Sequence, residues 1–217
     1  DRRQRQMCIR DRNYPSRPDL TEDELKSEFD AILENALLLG LNTLFFQVRP
    51  CGDALYLSEL FPVSPYLSSD GKLQFDPLAY AVSECHSKGI ALHAWVNPLR
   101  VSVKKSDSRE AALSALPKDK GASLSPELLV FYGDGKLYYN AGLPEVCELV
   151  KKCVTEIVEN YDVDGIVFDD YFYPYPANGA EFDDADAYAK YGNGAERDDW
   201  RRENINTVSY THLTLPT

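Results

Sequence analysis

The sequence predicts an α/β fold, specifically a partial (β/α)8 barrel, from three observations. Helical and extended patterns alternate along the chain, which is typical of parallel strands joined by helices in right-handed crossovers. The extended patterns are apolar on both faces, as in sheets that helices cover. Long loops follow these strands, and no Gly-x-Gly-x-x-Gly sequence or phosphate-binding loop follows any of them, which favours a barrel over an open dinucleotide-binding sheet.

The first predicted element is a helix from Thr21 to Gly40. Thr21 and Glu24 form a capping box, and Gly40 favours a C-terminal stop. One apolar stripe at helical spacing contains Leu25, Phe29, Ile32, Leu33, Ala36 and Leu37. A strand is predicted over residues 42–48, followed by a long loop over 49–75.

A second helix is predicted from Asp76, the N-cap, and Pro77, which suits a first helical turn. It ends at Gly89, and a strand over 90–96 follows. Residues 99–143 form a long insertion with one weak helix over 108–116 and a short extended piece over 136–139. Insertions of this length in a compact domain are usually functional.

A third helix begins at Pro144, and the strand over 163–168 that follows it ends in two carboxylates, Asp169 and Asp170. An aromatic loop comes next, with Tyr171, Phe172, Tyr173 and Tyr175 between and beside two prolines. Ligand sites of α/β barrels and open sheets lie at the carboxyl ends of such strands. A helix N-cap at Asp170 and a turn aspartate is the alternative. A last helix is predicted over 198–206.

Strand register predicts that polar side chains meet at the mouth of the barrel. Residues two apart on a strand share a face, so three sets face the same side: Gln47 with Arg49; His93 with Trp95 and Asn97; Asp169 with Tyr171. This is an active-site pattern. Alternatives remain open for single members, with His93 as a hydrogen-bonded core histidine and Arg49 as a salt-bridge partner of Asp53.

Composition restricts the partners. The net charge of −12 disfavours nucleic acid or an anionic membrane surface and favours an uncharged or weakly charged ligand. No apolar run approaches the ~20 residues of a transmembrane helix. The five cysteines form no framework, and Cys-x-x-Cys and His-Glu-x-x-His sequences are absent, so no metal site and no cofactor are predicted. Buried thiols are expected.

The two ends of the chain differ from the rest. Residues 1–12 contain five arginines and two aspartates, are too short and polar for a signal peptide, and resemble a translated sequencing adaptor. Residues 208–217 resemble the matching artefact. A genuine basic arm is the alternative for the first segment. We therefore treat residues 13–207 as the natural region, cut at both sides.

Five segments resemble the glycosyl hydrolase-like 10 family, bacterial envelope proteins with a (β/α)8 barrel. They are Phe-Gln-Val-Arg-Pro-Cys-Gly-Asp-Ala-Leu-Tyr (46–56), His-Ala-Trp-Val-Asn-Pro-Leu-Arg-Val (93–101), Gly-Lys-Leu-Tyr-Tyr-Asn-Ala-Gly-Leu-Pro-Glu-Val (135–146), Asp-Gly-Ile-Val-Phe-Asp-Asp-Tyr-Phe-Tyr-Pro-Tyr-Pro (164–176) and Asp-Trp-Arg-Arg-Glu-Asn-Ile-Asn (199–206). The resemblance implies that the predicted strands are strands two to four, and that the first strand and strands five to eight are missing.

The resemblance also implies a function. One family member cleaves peptidoglycan glycan strands stripped of their peptides, so the expectation is a glycoside hydrolase acting on bacterial cell-wall glycan, located in the cell envelope or secreted. The chain alone is expected to be inactive. A non-catalytic wall-glycan-binding barrel is the alternative, and an inward Asp or Glu on strands five to eight would distinguish the two.

The catalytic candidates are Asp169 and Asp170. Neighbours on a strand point to opposite faces, so they cannot be the two partners across one glycosidic bond. Asp169 is therefore preferred as nucleophile or acid/base, with the second carboxylate on the missing strands and Asp53 a weaker local candidate. The substrate-binding candidates are Gln47, Arg49, Asp53, His93, Trp95, Asn97, Arg100, Tyr171 and Tyr173.

Overall fold

A computed structural model describes residues 6–9, 14–169, 172–177 and 179–210 of the chain. They form an α/β fold that divides into two compact units. The first unit comprises the described residues up to Asn97 together with Ile157–Asp169, and the second comprises Pro98–Glu156 and the described residues from 172 onward. The assignment of residues 13–207 to one natural domain stays a prediction.

The helices and strands alternate in the first unit and form a more irregular succession in the second. In chain order they are β1 (Gln6–Ile9), α1 (Glu22–Leu38), β2 (Thr43–Arg49), α2 (Pro77–Ser87), β3 (Ala91–Val96), α3 (Arg109–Ser114), β4 (Leu129–Phe131), β5 (Leu137–Tyr139), α4 (Pro144–Asn160), β6 (Gly165–Phe168), α5 (Ala185–Tyr191) and α6 (Arg197–Tyr210). Two short 3-10 helices, Gly121–Leu124 and Pro126–Leu128, precede β4.

A four-stranded parallel sheet organises the first unit, in the order β1-β2-β3-β6. Thr43 pairs with Gln6 on one side and with Ala91 on the other, and His93 pairs with Gly165. A bulge between Gln47 and Arg49 shifts the pairing of β2 with β3. Every strand therefore presents its carboxyl end at the same edge of the sheet.

Strand β1 corrects one expectation. The sequence predicts that no barrel strand precedes residue 13, yet Gln6–Ile9 pairs in parallel with Thr43–Phe46 at the edge of the sheet. That prediction is wrong, because the strand is only four residues long and lies between arginines, which is too short for a strand pattern to show. The artificial origin of residues 1–12 stays a prediction.

Helix α1 forms as its capping box predicts. The Thr21 hydroxyl accepts a hydrogen bond from the backbone N–H of Glu24 at 3.3 Å, and the Glu24 carboxylate accepts one from the Thr21 N–H at 2.8 Å. Leu25, Phe29, Leu33 and Ala36 are buried, and the Phe29 ring lies 6.0 Å from that of Phe46 on β2. Leu37 departs from the predicted stripe and is 40% exposed.

The N-cap of α2 joins distant parts of the first unit. Asp76 Oδ1 accepts hydrogen bonds from the backbone N–H groups of Leu78 and Ala79 at 3.0 and 3.1 Å. Its other oxygen accepts one from the Tyr161 hydroxyl at 2.6 Å. The predicted cap is therefore confirmed, and it also fixes the chain just before β6.

The second unit contains the antiparallel pair β4–β5, in which Leu129 pairs with Tyr139 and Phe131 with Leu137. Its core contains Leu99, Val101, Ala112, Ala122, Leu129, Leu137, Tyr139, Ala141 and Val146. The predicted extended piece is β5 and the predicted weak helix is α3. Strand β4 and helix α5 are not predicted from the sequence.

Cys51, Cys85 and Cys153 are buried free thiols and Cys147 is partly buried, as expected for the cysteines that the structure describes. Among the described residues, no helix combines the length and apolar character needed to cross a membrane.

Candidate active site

Asp169 lies where β6 ends, and two side chains from the end of β3 hold its carboxylate. The Trp95 indole donates a hydrogen bond to Oδ2 at 3.1 Å. The Asn97 side-chain amide lies 3.0 Å from Oδ1 and 3.1 Å from Oδ2. Trp95 pairs with Val167 in the sheet, so these three side chains share the face that strand register predicts. An acidic group is thus fixed in orientation while remaining partly exposed.

Arg49 supports this arrangement from the neighbouring strand. Its guanidinium donates a hydrogen bond to the backbone carbonyl of Asn97 at 2.7 Å, and the Asn97 N–H donates one to the Arg49 carbonyl at 2.8 Å. The guanidinium also lies 4.2 Å from the centre of the Phe61 ring, within cation–π distance. Arg49 is only 1% exposed, so it holds Asn97 in place rather than presenting its charge to solvent.

Asp53 is buried in the loop after β2. Its carboxylate accepts hydrogen bonds from the Cys51 thiol at 3.2 Å and the Ser64 hydroxyl at 3.0 Å. Burial raises the pKa of Asp53 above its ordinary value, although these hydrogen bonds and the charge of Arg49 oppose the shift. Among the described residues its hydrogen-bond donors are therefore neutral groups, and Arg49 acts on it through charge.

His93 and Gln47 lie deeper on the same face. The His93 ring packs edge-on against Phe45 with 5.2 Å between ring centres. It also covers Gly165, where a Cβ atom would come within 2.9 Å of Nδ1. Gln47 is buried beside Trp95 in the register of the sheet. Both residues line the sheet below the Asp169 carboxylate.

Arg100 and Tyr173 belong to the second unit. Arg100 forms an antiparallel bridge with Tyr138 and lines a cavity with Asp134, Lys136 and Tyr175. The Tyr173 ring packs edge-on against Phe182, with centres 5.2 Å apart, and Asn204 Nδ2 donates a hydrogen bond to its hydroxyl at 3.4 Å. Burial is the main cause that raises the pKa of Tyr173 to about 12. The ring is thus packed within its unit.

Asp170 and Tyr171 lie outside the described residues, so their predicted roles stay predictions. The described part of the chain holds no group of three or more His, Cys, Asp or Glu side chains that could bind a metal ion.

The sequence did not single out several residues around these sites. Cys51 and Ser64, the partners of Asp53, carry no spacing signal because they reach it through the fold of one loop. The cavity beside Arg100 is equally hidden, since the bridge between residues 100 and 138 is a tertiary contact. Tyr175, in contrast, could have been found from the sequence, because it belongs to the run of aromatic residues that follows Asp170.

Residues 17–212 match the family described as glycosyl hydrolase-like 10. The chain belongs to this family. Relatives agree: the chain is 38% identical over 200 residues to glycosyl hydrolase YngK of Bacillus subtilis (strain 168), a match covering 90% of this chain and 38% of YngK. It is 37% identical over 191 residues to glycosyl hydrolase DigH of Escherichia coli (strain K12), covering 82% of this chain and 43% of DigH.

This member of the glycosyl hydrolase-like 10 family thus spans about two fifths of the length of its curated relatives. Its fold is similar to that of α-L-fucosidase isoenzyme 2 from Paenibacillus thiaminolyticus, with a TM-score of 0.60 and 17% identity over 96% of this chain and 29% of that chain. At this identity the likeness concerns the fold alone.

Proposed function

We propose that this region is part of a glycoside hydrolase that cleaves bacterial cell-wall glycan, namely peptidoglycan strands, in the cell envelope or outside the cell. The observation that carries the proposal is the Asp169 carboxylate, held by Trp95 and Asn97 at the carboxyl edge of a parallel sheet, in a chain of this family. A positioned carboxylate is the group that glycoside hydrolysis requires as nucleophile or general acid/base.

We infer further that the sheet is the first half of a (β/α)8 barrel. Its four parallel strands follow one another in chain order, and helices α1, α2 and α4 connect them. This succession supports strands one to four of a barrel. The second carboxylate of the reaction would then come from strands five to eight, which the greater length of YngK and DigH can accommodate.

Asp53 is the weaker candidate for that second carboxylate. Its raised pKa is a property of a general acid. Its burial and its two hydrogen bonds to Cys51 and Ser64 leave little of the side chain for a substrate. A structural role in the loop that holds Arg49 is the better supported of the two.

The test is cleavage of peptide-free peptidoglycan strands by the full-length protein and its Asp169→Asn variant. Asn preserves the size of the side chain but cannot ionise. The rate at which soluble fragments are released should therefore fall by about 100-fold or more, while the melting temperature stays unchanged. Asp162→Asn is the control, because the Asp162 side chain is 96% exposed and precedes β6. Undiminished release by Asp169→Asn would contradict the catalytic assignment.

The same assay separates the alternative function. A wall-glycan-binding barrel without catalysis would retain the strands in a pull-down yet release no fragments, even as the wild-type protein. Parallel incubation with cellulose and chitin tests the substrate class, because the proposal expects release from the peptidoglycan strands alone.

A further inference from the structure

A small cavity in the second unit lies beside an exposed aromatic ring. Its volume is about 260 Å³, and it is lined by Arg100, Asp134, Lys136, Tyr138, Pro174, Tyr175, Pro176 and Ala177. Small-molecule pockets commonly measure ~300–1,000 Å³, so this one suits a single sugar-sized group. Tyr175 is 64% exposed, which leaves a flat apolar surface at the cavity.

Two prolines and two hydrogen bonds restrain the described chain around Tyr175. Prolines flank the residue on both sides and restrict the backbone there. Just beyond, the Tyr132 hydroxyl accepts a hydrogen bond from the Ala177 N–H at 3.1 Å and donates one to the Ala180 carbonyl at 3.0 Å. Strand β4 leads into Tyr132, so the loop is fastened to the β4–β5 pair. An aromatic ring on such a support loses little freedom when a ligand stacks on it.

Polar groups in the lining of the cavity are already oriented by hydrogen bonds within it. The Asp134 carboxylate accepts hydrogen bonds from the Tyr138 hydroxyl at 2.8 Å and the Lys136 N–H at 3.2 Å. The Lys136 ammonium lies 3.5 Å from the same carboxylate, and both side chains remain partly exposed. Burial, followed by the hydrogen bond to Asp134, raises the pKa of Tyr138, which keeps its hydroxyl protonated as the donor.

We propose that this cavity is a glycan subsite that takes one sugar ring, stacked on Tyr175 and hydrogen-bonded through its hydroxyl or acetamido groups by Asp134 and Lys136. A pyranose presents apolar C–H groups on one face and hydroxyl groups around its rim. An exposed tyrosine matches the face, and a carboxylate beside an ammonium offers an acceptor and a donor for the rim. The inference rests on the proposed function, since it names a place where the glycan of that reaction would bind.

The wall offers charges of both signs. Lys136 lies within ion-pair distance of Asp134, so these two charges balance each other, and Arg100 adds a second positive charge to the lining. A phosphate or sulfate group would meet the Asp134 carboxylate at close range, and like charges repel. The hydroxyl groups of a sugar can accept a hydrogen bond from Lys136 and donate one to Asp134, and they meet no such repulsion.

The experiment is isothermal titration of the complete chain with tri-N-acetylchitotriose, a neutral N-acetylglucosamine oligomer. Tyr175→Ala should weaken binding by about tenfold or more, as truncation of an aromatic contact residue does. Tyr175→Phe, which keeps the ring, should bind as the parent does. Tyr191→Ala is the matched control, because Tyr191 lines a different cavity in the same unit. Circular dichroism of each variant checks that the fold is retained.

Two outcomes would overturn the inference. If Tyr175→Ala binds the oligomer as tightly as the parent, the subsite is wrong while the hydrolase proposal stands. If the parent binds no oligomer, the subsite is also wrong. The hydrolase proposal is judged separately, by whether Asp169→Asn loses strand cleavage. Weakening in Tyr175→Ala and Lys136→Met, with Tyr191→Ala unchanged, supports the subsite.

Discussion

The side-chain amide nitrogen of Asn97 lies 3.0 and 3.1 Å from the two carboxylate oxygens of Asp169. Asn97 is fully buried, and its own backbone is held on both sides by Arg49. Arg49 on β2 therefore fixes Asn97 at the end of β3, and Asn97 in turn orients the Asp169 carboxylate at the end of β6. A group positioned in this way can act on a substrate without reorganising first.

Asn97→Ala tests the importance of this orientation for the proposed hydrolysis. Loss of the amide removes a donor from the Asp169 carboxylate, while the hydrogen bond from the Trp95 indole remains. We expect the rate of fragment release by the full-length protein to fall by up to about 100-fold, because small displacements of a reacting group cost that much. Asn35→Ala, on the exposed face of α1, is the control. Equal loss in both variants would indicate a general defect of folding.

The sequence predicted which side chains share a face at the strand ends because strand periodicity is a local property, while their roles in a reaction stay predictions. Alternation places Trp95, Asn97 and Asp169 on one face, and parallel pairing brings the strand ends together. The role of Arg49 could not be read in the same way. A bulge in β2 precedes Arg49, and its guanidinium lies against Phe61 from the following loop; neither feature has a sequence pattern.

Asp53→Asn should change the pH dependence of stability. Burial raises the pKa of Asp53 in the folded protein above the value of 3.8 typical of an exposed aspartate. Between these two values the folded state binds more protons than the unfolded state, so the stability that Asp53 contributes falls as pH rises through that window. Asn does not titrate.

The measurement for Asp53 is the melting temperature of variant and parent from pH 4 upward. The two should be closest at pH 4, and the variant should gain relative to the parent as pH rises. Asp107→Asn, at an exposed position, should follow the parent throughout. Parallel curves for Asp53→Asn and the parent would show that the Asp53 carboxylate has the same pKa folded and unfolded.

The fold was predicted where local signals were strong and missed where contacts or short lengths decided it. The capping box predicts the start of helix α1, and Asp76 with Pro77 predicts the start of α2. Strand β4 is three residues long, too short for a pattern. Helix α5 begins at Ala185, and the side chain of its N-cap, Asp184, makes no capping hydrogen bond because it pairs with two arginines instead.

Asp164 predicts a second, opposite pH effect. Burial raises the pKa of its carboxyl, but hydrogen bonds from His86 and the Leu92 N–H, with the charges of His86 and His93, outweigh burial and lower it. Because the pKa is lower in the folded state, the carboxylate stabilises the fold at pH values above the pKa of the unfolded state. This stabilisation is lost as the pH falls through the pKa of the folded state. Asp164→Asn should therefore be less stable than the parent at neutral pH, and this difference should shrink below about pH 4.

The Asp164 effect should be small, since the side chain is partly exposed. A pair of this kind contributes about 1 kcal/mol or less, or roughly 2–4 °C in melting temperature for a chain of this size. Asp162→Asn is the matched control, because Asp162 lies 3.9 Å from the other nitrogen of His86 and is almost fully exposed. A larger loss in Asp162→Asn than in Asp164→Asn would refute this account.

Asp184 forms a buried ion pair with two arginines of the second unit. Its side chain is fully buried, and Arg197 and Arg201 donate four hydrogen bonds to it at 2.5 to 3.1 Å. Both arginines also donate to the Phe182 carbonyl, and Phe182 packs against Tyr173. The carboxylate thus joins α6 to the segment that supports the aromatic loop.

Asp184→Ala should destabilise the chain by about 3 kcal/mol, near the lower end for a broken buried pair because both arginines keep partial contact with water. Thermal melting measures the loss of stability. Asp183→Ala is the control, since Asp183 is the neighbour of Asp184 and its side chain is exposed. Asp184→Asn should lie between the two, because the amide oxygen still accepts from one arginine. If Asp184→Ala melts together with Asp183→Ala, the arginines find equivalent partners in solvent, and the joint between α6 and the aromatic loop does not depend on this carboxylate.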